Sequence, residues 1–313
     1  MAGRGGACES SLARHQRPLS RRVCPIIHPA PLVTLLILWR GTDNSPGLRQ
    51  TARPATGRSW QTPSPKWSSD ALDRRHSSFK SQTNRQGVLF TVNVIDAIRT
   101  RKSTRAFLAK DVNETQLREL LDAARWSPSG GNCQPWHLYA LTGSGMARFR
   151  EALKAEVAAN ARGDRTEFPI YPEGIKEPYR TRRYVCGEAL YASINIPRED
   201  GAGRLRQLAR NFDFFGAPAA LFFTIDRQMG LGQWAHLGML MQSIALTAES
   251  MGLATCMQEA WLTRHGFIRR FFDVPEHLQI YSGMAIGYAD NSQAINQWRT
   301  ARAPVEELVT FAR

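Results

Sequence analysis

Hydrophobic and polar positions fall into register only from about Thr91 onward. In the stretch NETQLRELLDAARW, Leu117, Leu120, Leu121 and Ala124 recur at i, i+3, i+4 and i+7, the spacing of one apolar helical face. Asn113 followed by Gln116 predicts a capping box at its start. WHLYALT (136–142) reads as a strand, and GMARFREALKAEVAAN (145–160) as a helix. PAALFFTI (218–225) is a continuous apolar run between Pro218 and Asp226, the pattern of a strand buried on both faces. Residues 234–251 carry one charge, Glu249, so this helix is apolar nearly all round and belongs in the core or a subunit interface. Gly252 ends it. LATCMQEAW (253–261) and IYSGMAIGY (280–288) predict two more strands, separated by a helix over TRHGFIRRFFDV (263–274). Helices and strands mix without strict alternation, which predicts an α+β fold rather than a doubly wound sheet.

Composition divides the 313 residues in two. Residues 1–90 hold 14 Lys and Arg against 4 Asp and Glu, whereas residues 91–313 hold 27 against 23. Most of the formal net charge of +14 therefore belongs to the first ninety residues. That segment is rich in Arg, Ser, Pro and Thr and has no sustained period, so it is expected to be a disordered extension ahead of a folded domain at 91–313. A reading frame opened too early is one origin for it, with Val88 as the alternative start. PLVTLLILW (31–39) is too short to span a bilayer, and no small-residue cleavage site follows it. A basic binding protein, using the Arg-rich extension on nucleic acid or anionic lipid, is the competing reading of the charge. Cys8, Cys24, Cys133, Cys186 and Cys256 are scattered and form no C-x-x-C, and the seven His form no H-E-x-x-H. The expectation is a cytoplasmic protein without structural metal.

Two stretches carry candidate chemistry. WSPSGGNCQPW (126–136) is too dense in Pro and Gly for a helix or strand, yet a Trp stands at each end of it. RTRKSTRAF (99–107), just after a short amphipathic helix, sets Arg99, Arg101, Lys102 and Arg105 around Ser103 and Thr104. It is either a solvated basic helix end or an anion site. GSGMAR (143–148) lacks the third glycine and the acidic partner of a dinucleotide fingerprint and reads as a plain turn. No phosphate loop and no G-x-S-x-G is present.

RTRKSTRAF, SPSGGNCQPWHLYALT, GLATCMQEAW and GYAD…NQWRTARAPVEE, in this order and spacing, resemble the FMN-dependent nitroreductase family over about residues 92–311. GEALYASINIPREDGAGRLRQLARNFDFFGAP is similar to the branch with nitrobenzoate-type nitroreductases. The resemblance implies a mixed sheet flanked by helices in an interlocked homodimer, with FMN at the subunit interface and NAD(P)H as co-substrate. It implies that Arg101, Lys102, Ser103 and Arg105 bind the phosphate, ribityl chain and pyrimidine edge, with Arg105 as electrostatic stabiliser. Pro128, Ser129, Gly130 and Asn132 would lie against the flavin of the other subunit, with Trp126 and Trp136 pinning their loop to the core. Gln258, Glu259 and Ala260 would run past the N5 side through backbone groups, and Arg302 and Arg299 would close on the phosphate. Glu259 has a plain alternative as a capping or salt-bridging carboxylate. The implied activity is reduction of nitroaromatic or similar electron-poor compounds by alternating hydride transfer, with no side-chain nucleophile. Ene reduction and reductive dehalogenation are the alternatives on the same fold. Lys102 stands where many members carry Arg or His, and Ala260 where Gly is frequent.

Overall fold

The computed structural model describes residues 92–312. The expectations for the N-terminal extension, including the run at 31–39 and the alternative start at Val88, lie outside these residues.

Strong local signals produced the elements they predict. Helix α1 (Val94–Thr100) is capped by Asn93, whose side chain accepts from the Asp96 amide. Helix α2 (Glu114–Ala124) opens with the Asn113–Gln116 capping box, both reciprocal bonds being present, and buries Leu117, Leu120 and Ala124. Strand β1 (Trp136–Leu141) leads into helix α3 (Gly143–Ala159), so GSGMAR is the first turn of an ordinary helix. Helices α4 (Tyr179–Ala192) and α5 (Gly201–Ala209) precede strand β2 (Ala219–Asp226). Helix α6 (Leu231–Ser250) starts three residues earlier than its apolar pattern indicates, and Gly252 follows it with φ +70°.

Strand β3 (Ala254–Gln258) is shorter than the expected 253–261. At Glu259 the chain leaves the sheet and tightens into a 3-10 turn (Glu259–Arg264), because the Gln258 side chain turns inward. Its Nε2 donates to the Asn211 carbonyl at 2.9 Å, and Trp261 beneath it is fully buried. Helix α7 (His265–Phe272), strand β4 (Leu278–Gly287) and the short helices α8 (Ala294–Gln297) and α9 (Val305–Leu308) complete the chain.

The strands lie in the order β1-β2-β4-β3, and their pairings are all antiparallel. The mixed character rests on one isolated parallel bridge, Ser103 to Thr255, which lays the segment after α1 along the outer edge of β3. On one face of the sheet, Leu221, Phe223, Ile225, Met284 and Ile286 pack under α2 and α6. On the other, Ala220, Phe222, Ile280 and Ala285 pack under α3, α7 and Trp261. Strand β2 is buried from Ala219 to Ile225, and each large side chain buried there contributes about 1.5–3 kcal/mol. This two-sided sheet is the rigid base that holds the outer edge of β3.

Candidate functional site

The residues of RTRKSTRAF are brought together at that edge. Arg101 caps α1, and the chain beyond it runs extended, with the Thr104 amide donating to the Thr255 carbonyl at 2.9 Å. On its other side the segment meets the chain after β4. Leu108 N donates to the Tyr288 carbonyl at 2.9 Å, and Asp290 N to the Ala106 carbonyl at 3.0 Å.

The clamp between them is Asn296, which is fully buried. Its Oδ1 accepts from the Arg105 amide at 2.9 Å, and its Nδ2 donates to the carbonyls of Ala106 at 2.7 Å and Asp290 at 2.9 Å. Its own carbonyl accepts from Lys102 Nζ. The Arg105 guanidinium reaches back to the Ser103 carbonyl at 3.2 Å. Arg299 donates to the Arg99 carbonyl, tying the C-terminal tail to α1.

Electrostatics places Arg302 and Arg299 with Arg101. Burial lowers the Arg101 pKa most, and the Arg302 and Arg299 charges lower it further, while Glu249 acts in the opposite direction. Among the described residues, Arg101, Lys102, Arg105, Arg299 and Arg302 enter no carboxylate ion pair. Three guanidinium groups gathered in this way repel one another unless an anion joins them, and their forked donors suit phosphate oxygens. Beneath them Cys256 is a buried thiol that burial pushes up. Arg105, a hydrogen bond to Ser103 and Arg101 pull it back.

The turn Gln258–Ala260 continues β3 away from that spot. Gln258 points its side chain into the core, so it offers only backbone to a ligand. Glu259 is half-buried. Burial raises its pKa, and a hydrogen bond to Tyr281 partly offsets that rise.

The loop at 128–134 does not join this cluster within the same chain; its hydrogen bonds run to itself and to α6. Gly130–Asn132 forms one 3-10 turn with Gly131 at φ +60° and Asn132 at φ +54°. Ser129 Oγ accepts from the Gln134 amide at 2.9 Å. A Cβ on Gly130 would stand 3.1 Å from His236 Cε1, so the glycine lets the loop sit directly on α6.

One expectation for this loop is corrected. Trp136 is half-buried against the core, but Trp126 is 76% exposed and pins nothing within the chain. Helix α2 ends at Ala124, and Arg125 as its C-cap directs the chain outward, leaving the Arg125 guanidinium 5.2 Å from the Trp126 ring. The loop is held instead by Ser129 and by His236. Sequence reasoning missed His236, Asn296 and Tyr281. The only signal for Asn296 was its place three residues ahead of Arg299 in NQWRTAR.

Residues 98–288 match the nitroreductase family. The chain is 36% identical over 216 residues to a nitrobenzene nitroreductase of Ectopseudomonas oleovorans, covering 69% of this chain and 95% of that one. It is 34% identical over 225 residues to a 4-nitrobenzoate reductase of Pseudomonas putida, covering 71% and 97%. Among solved structures it is similar to the FMN and NADPH-dependent nitroreductase NfnB from Sphigopyxis sp. strain HMH, at 36% identity and a TM-score of 0.68, over 71% of this chain and 100% of that one. NfnB from Mycobacterium smegmatis, solved in complex with NADPH, follows at 29% identity and a TM-score of 0.64, covering 69% and 96%. The order of motifs, the cation cluster on β3 and the match over most of the folded chain agree: this protein belongs to the nitroreductase family.

Proposed function

We propose that the protein is an FMN-dependent NAD(P)H oxidoreductase that reduces nitroaromatic or similarly electron-poor compounds. The observation that carries this reading is the cluster of Arg101, Arg299 and Arg302 at the edge of β3, without a carboxylate partner and beside a turn that presents backbone. That set fits a phosphate-bearing flavin: guanidinium forks for the phosphate, and amide and carbonyl groups for the ring edge. When bound, FMN would supply the hydride chemistry, accepting from NAD(P)H and passing on to the acceptor.

The chain's own residues bind and orient. Arg101, Arg299 and Arg302, with Lys102, hold the phosphate. Ser103 serves the ribityl chain, and Arg105, fixed through its amide by Asn296, sets a positive charge beside the pyrimidine edge where negative charge collects on reduction. Gln258, Glu259 and Ala260 line the opposite edge through the backbone, as Gln258's inward side chain requires. Pro128, Ser129, Gly130 and Asn132 serve the second subunit's site in a homodimer. Two observations support that arrangement. Among the described residues the loop makes no hydrogen bond to its own chain's cations, and apolar side chains stand exposed on α1 (Val94, Ile95, Ile98), on α6 (Leu231, Met239) and on the tail (Leu308, Phe311). Nitroaromatic acceptors are proposed from the named activities of the relatives and from chemistry: a flat, electron-poor ring stacks on a flavin without dedicated side-chain recognition. The proposed location is the cytoplasm, without nucleic-acid or membrane partners. Among the described residues no helix is long and apolar enough to cross a membrane.

If the loop 128–132 of the second subunit covers one face of the flavin, donor and acceptor would have to alternate at the other. Steady-state rates with 4-nitrobenzoate or a nitrofuran against varied NAD(P)H are therefore expected to give parallel double-reciprocal lines. Intersecting lines would exclude the alternating scheme, and an FMN-loaded protein inert to nitro compounds would redirect the reading to ene reduction or dehalogenation.

A further inference from the structure

The stretch GIKEPYRTRR (174–183), which leads into α4, carries four cations against one carboxylate and has no part in the flavin site proposed above. Gly174, at φ +62°, turns the chain ahead of it. Lys176, Arg180 and Arg183 then line one open pocket of about 560 Å³, together with Glu177, Pro172 and Ile175. That volume lies within the range of small-molecule sites.

Glu177 is already engaged. It accepts from Arg180 Nε at 2.6 Å and from the Thr181 amide at 3.1 Å, so the pocket owes its charge to side chains and not to the helix end. Among the described residues, Lys176 and Arg183 enter no carboxylate ion pair. The Arg183 guanidinium instead lies over the Tyr171 ring, 4.1 Å from its centre. A guanidinium stacked by one face keeps its edge donors for an anion.

The pocket is also tethered to the tail. Arg182 pairs with Glu307 of α9 at 2.6 Å. Glu307 follows Arg302 by five residues, which an extended chain spans in at most about 18 Å. An outstretched dinucleotide bridges such a separation.

We propose that this pocket is the subsite for the 2′-phosphate of NADPH, and that Lys176 and Arg183 select NADPH over NADH. The proposal rests on the flavoenzyme reading above. The two dinucleotides differ only in that group, and a phosphate monoester carries a charge of about −1.5 to −2 at neutral pH. Two cations without a carboxylate match it, whereas a single carboxylate on an acceptor would leave one of them unmet. The exposed face of Arg183 offers a stacking surface to the adjoining adenine.

Calorimetric titration of the FMN-loaded full chain tests the pocket without turnover. The probes are adenosine 2′,5′-bisphosphate and adenosine 5′-monophosphate, which differ by the one phosphate. The bisphosphate is expected to bind about a hundredfold more tightly in the wild-type protein, the worth of about two charge-assisted hydrogen bonds. Lys176→Ala and Arg183→Ala should each lower that ratio about tenfold, and the double variant should abolish it. Arg183→Lys, which keeps the charge and loses the fork, should restore part of it. Stopped-flow reduction of the bound flavin gives the second readout. The rate ratio of NADPH over NADH at low donor concentration should fall in the same proportion, whereas a structural defect would slow both donors together. Equal binding of the two probes in the wild-type protein, or a preference that survives in the double variant, would overturn the proposal. A protein that binds no FMN fails the functional reading instead, and the loss of bisphosphate preference in the double variant then judges the pocket alone.

Discussion

Trp261→Ala is expected to destabilise the folded domain by about 3–5 kcal/mol, the range for truncating a fully buried large aromatic side chain. Trp261 has no exposed surface, and its ring lies 4.5 Å from Phe214, 5.2 Å from Phe222, 5.3 Å from Phe212 and 5.6 Å from Phe149. Strand β4 is built around it. A Cβ on Gly283 would stand 2.4 Å from Trp261 Cδ1, so a glycine there is what admits the indole. Nothing flexible can refill a cavity walled by four other rings, and the penalty should fall at the upper end. Against a total of about 5–15 kcal/mol for a typical domain, such a loss is visible directly in urea melts. The variant should also weaken ligand binding at the turn Gln258–Ala260 just upstream, because the Trp261 Nε1 donor to Gln258 Oε1, at 3.4 Å, disappears with the ring. A melt within 1 kcal/mol of wild type, on the order of a surface change, would show that the aromatic cluster is not the foundation of the site.

The second large effect is expected from Asn296→Ala. One buried amide here serves the backbone of Arg105, Ala106 and Asp290. Removing it leaves the Arg105 amide to find water or go unpaired, at about 1–3 kcal/mol when buried, while the Ala106 and Asp290 carbonyls each lose one of two donors and keep the Asp290 and Gln293 amides. Partial rescue by solvent brings the expected loss to about 2–4 kcal/mol. Because the amide fixes the segment carrying Arg101, Lys102, Ser103 and Arg105, FMN affinity should fall by about tenfold or more, beyond what stability alone explains. Parallel denaturation and flavin-titration measurements on Asn296→Ala check both parts. Unaltered FMN binding in a destabilised variant would separate the clamp from the site.

What the sequence made legible followed the strength of local signals. The capping box of α2 and the uninterrupted apolar run of β2 each admit one structural answer, and both elements formed as expected. The strand at 253–261 ran too long because QEAW holds no Gly or Pro to mark a break. What stops β3 is a tertiary bond from Gln258 to Asn211, which no local pattern displays. Trp126 misled for a related reason: an aromatic ring favours burial, but a single chain does not contain every surface that could cover it. Helices α4 and α5 escaped notice because α4 buries no residue within its own chain and α5 buries only Gly203, so no apolar stripe faces this core. The proposed site reads in the sequence as cations and glycines in fixed order. Its organisers, Asn296, His236 and Tyr281, act through contacts spanning tens to hundreds of residues along the chain and resemble any other surface amide, imidazole or phenol in sequence.

The central claim, that Arg101, Arg299 and Arg302 hold the phosphate of a flavin, is tested most directly by comparing FMN with riboflavin, which is the same ring system without the phosphate. Fluorescence titration of the apoprotein is expected to show FMN binding about a hundredfold more tightly than riboflavin, the worth of about two charge-assisted hydrogen bonds. In the double variant Arg101→Ala, Arg302→Ala the two affinities should converge, with riboflavin binding little altered. Equal affinities for FMN and riboflavin in the wild-type protein, or a preference that survives in the double variant, would contradict the account.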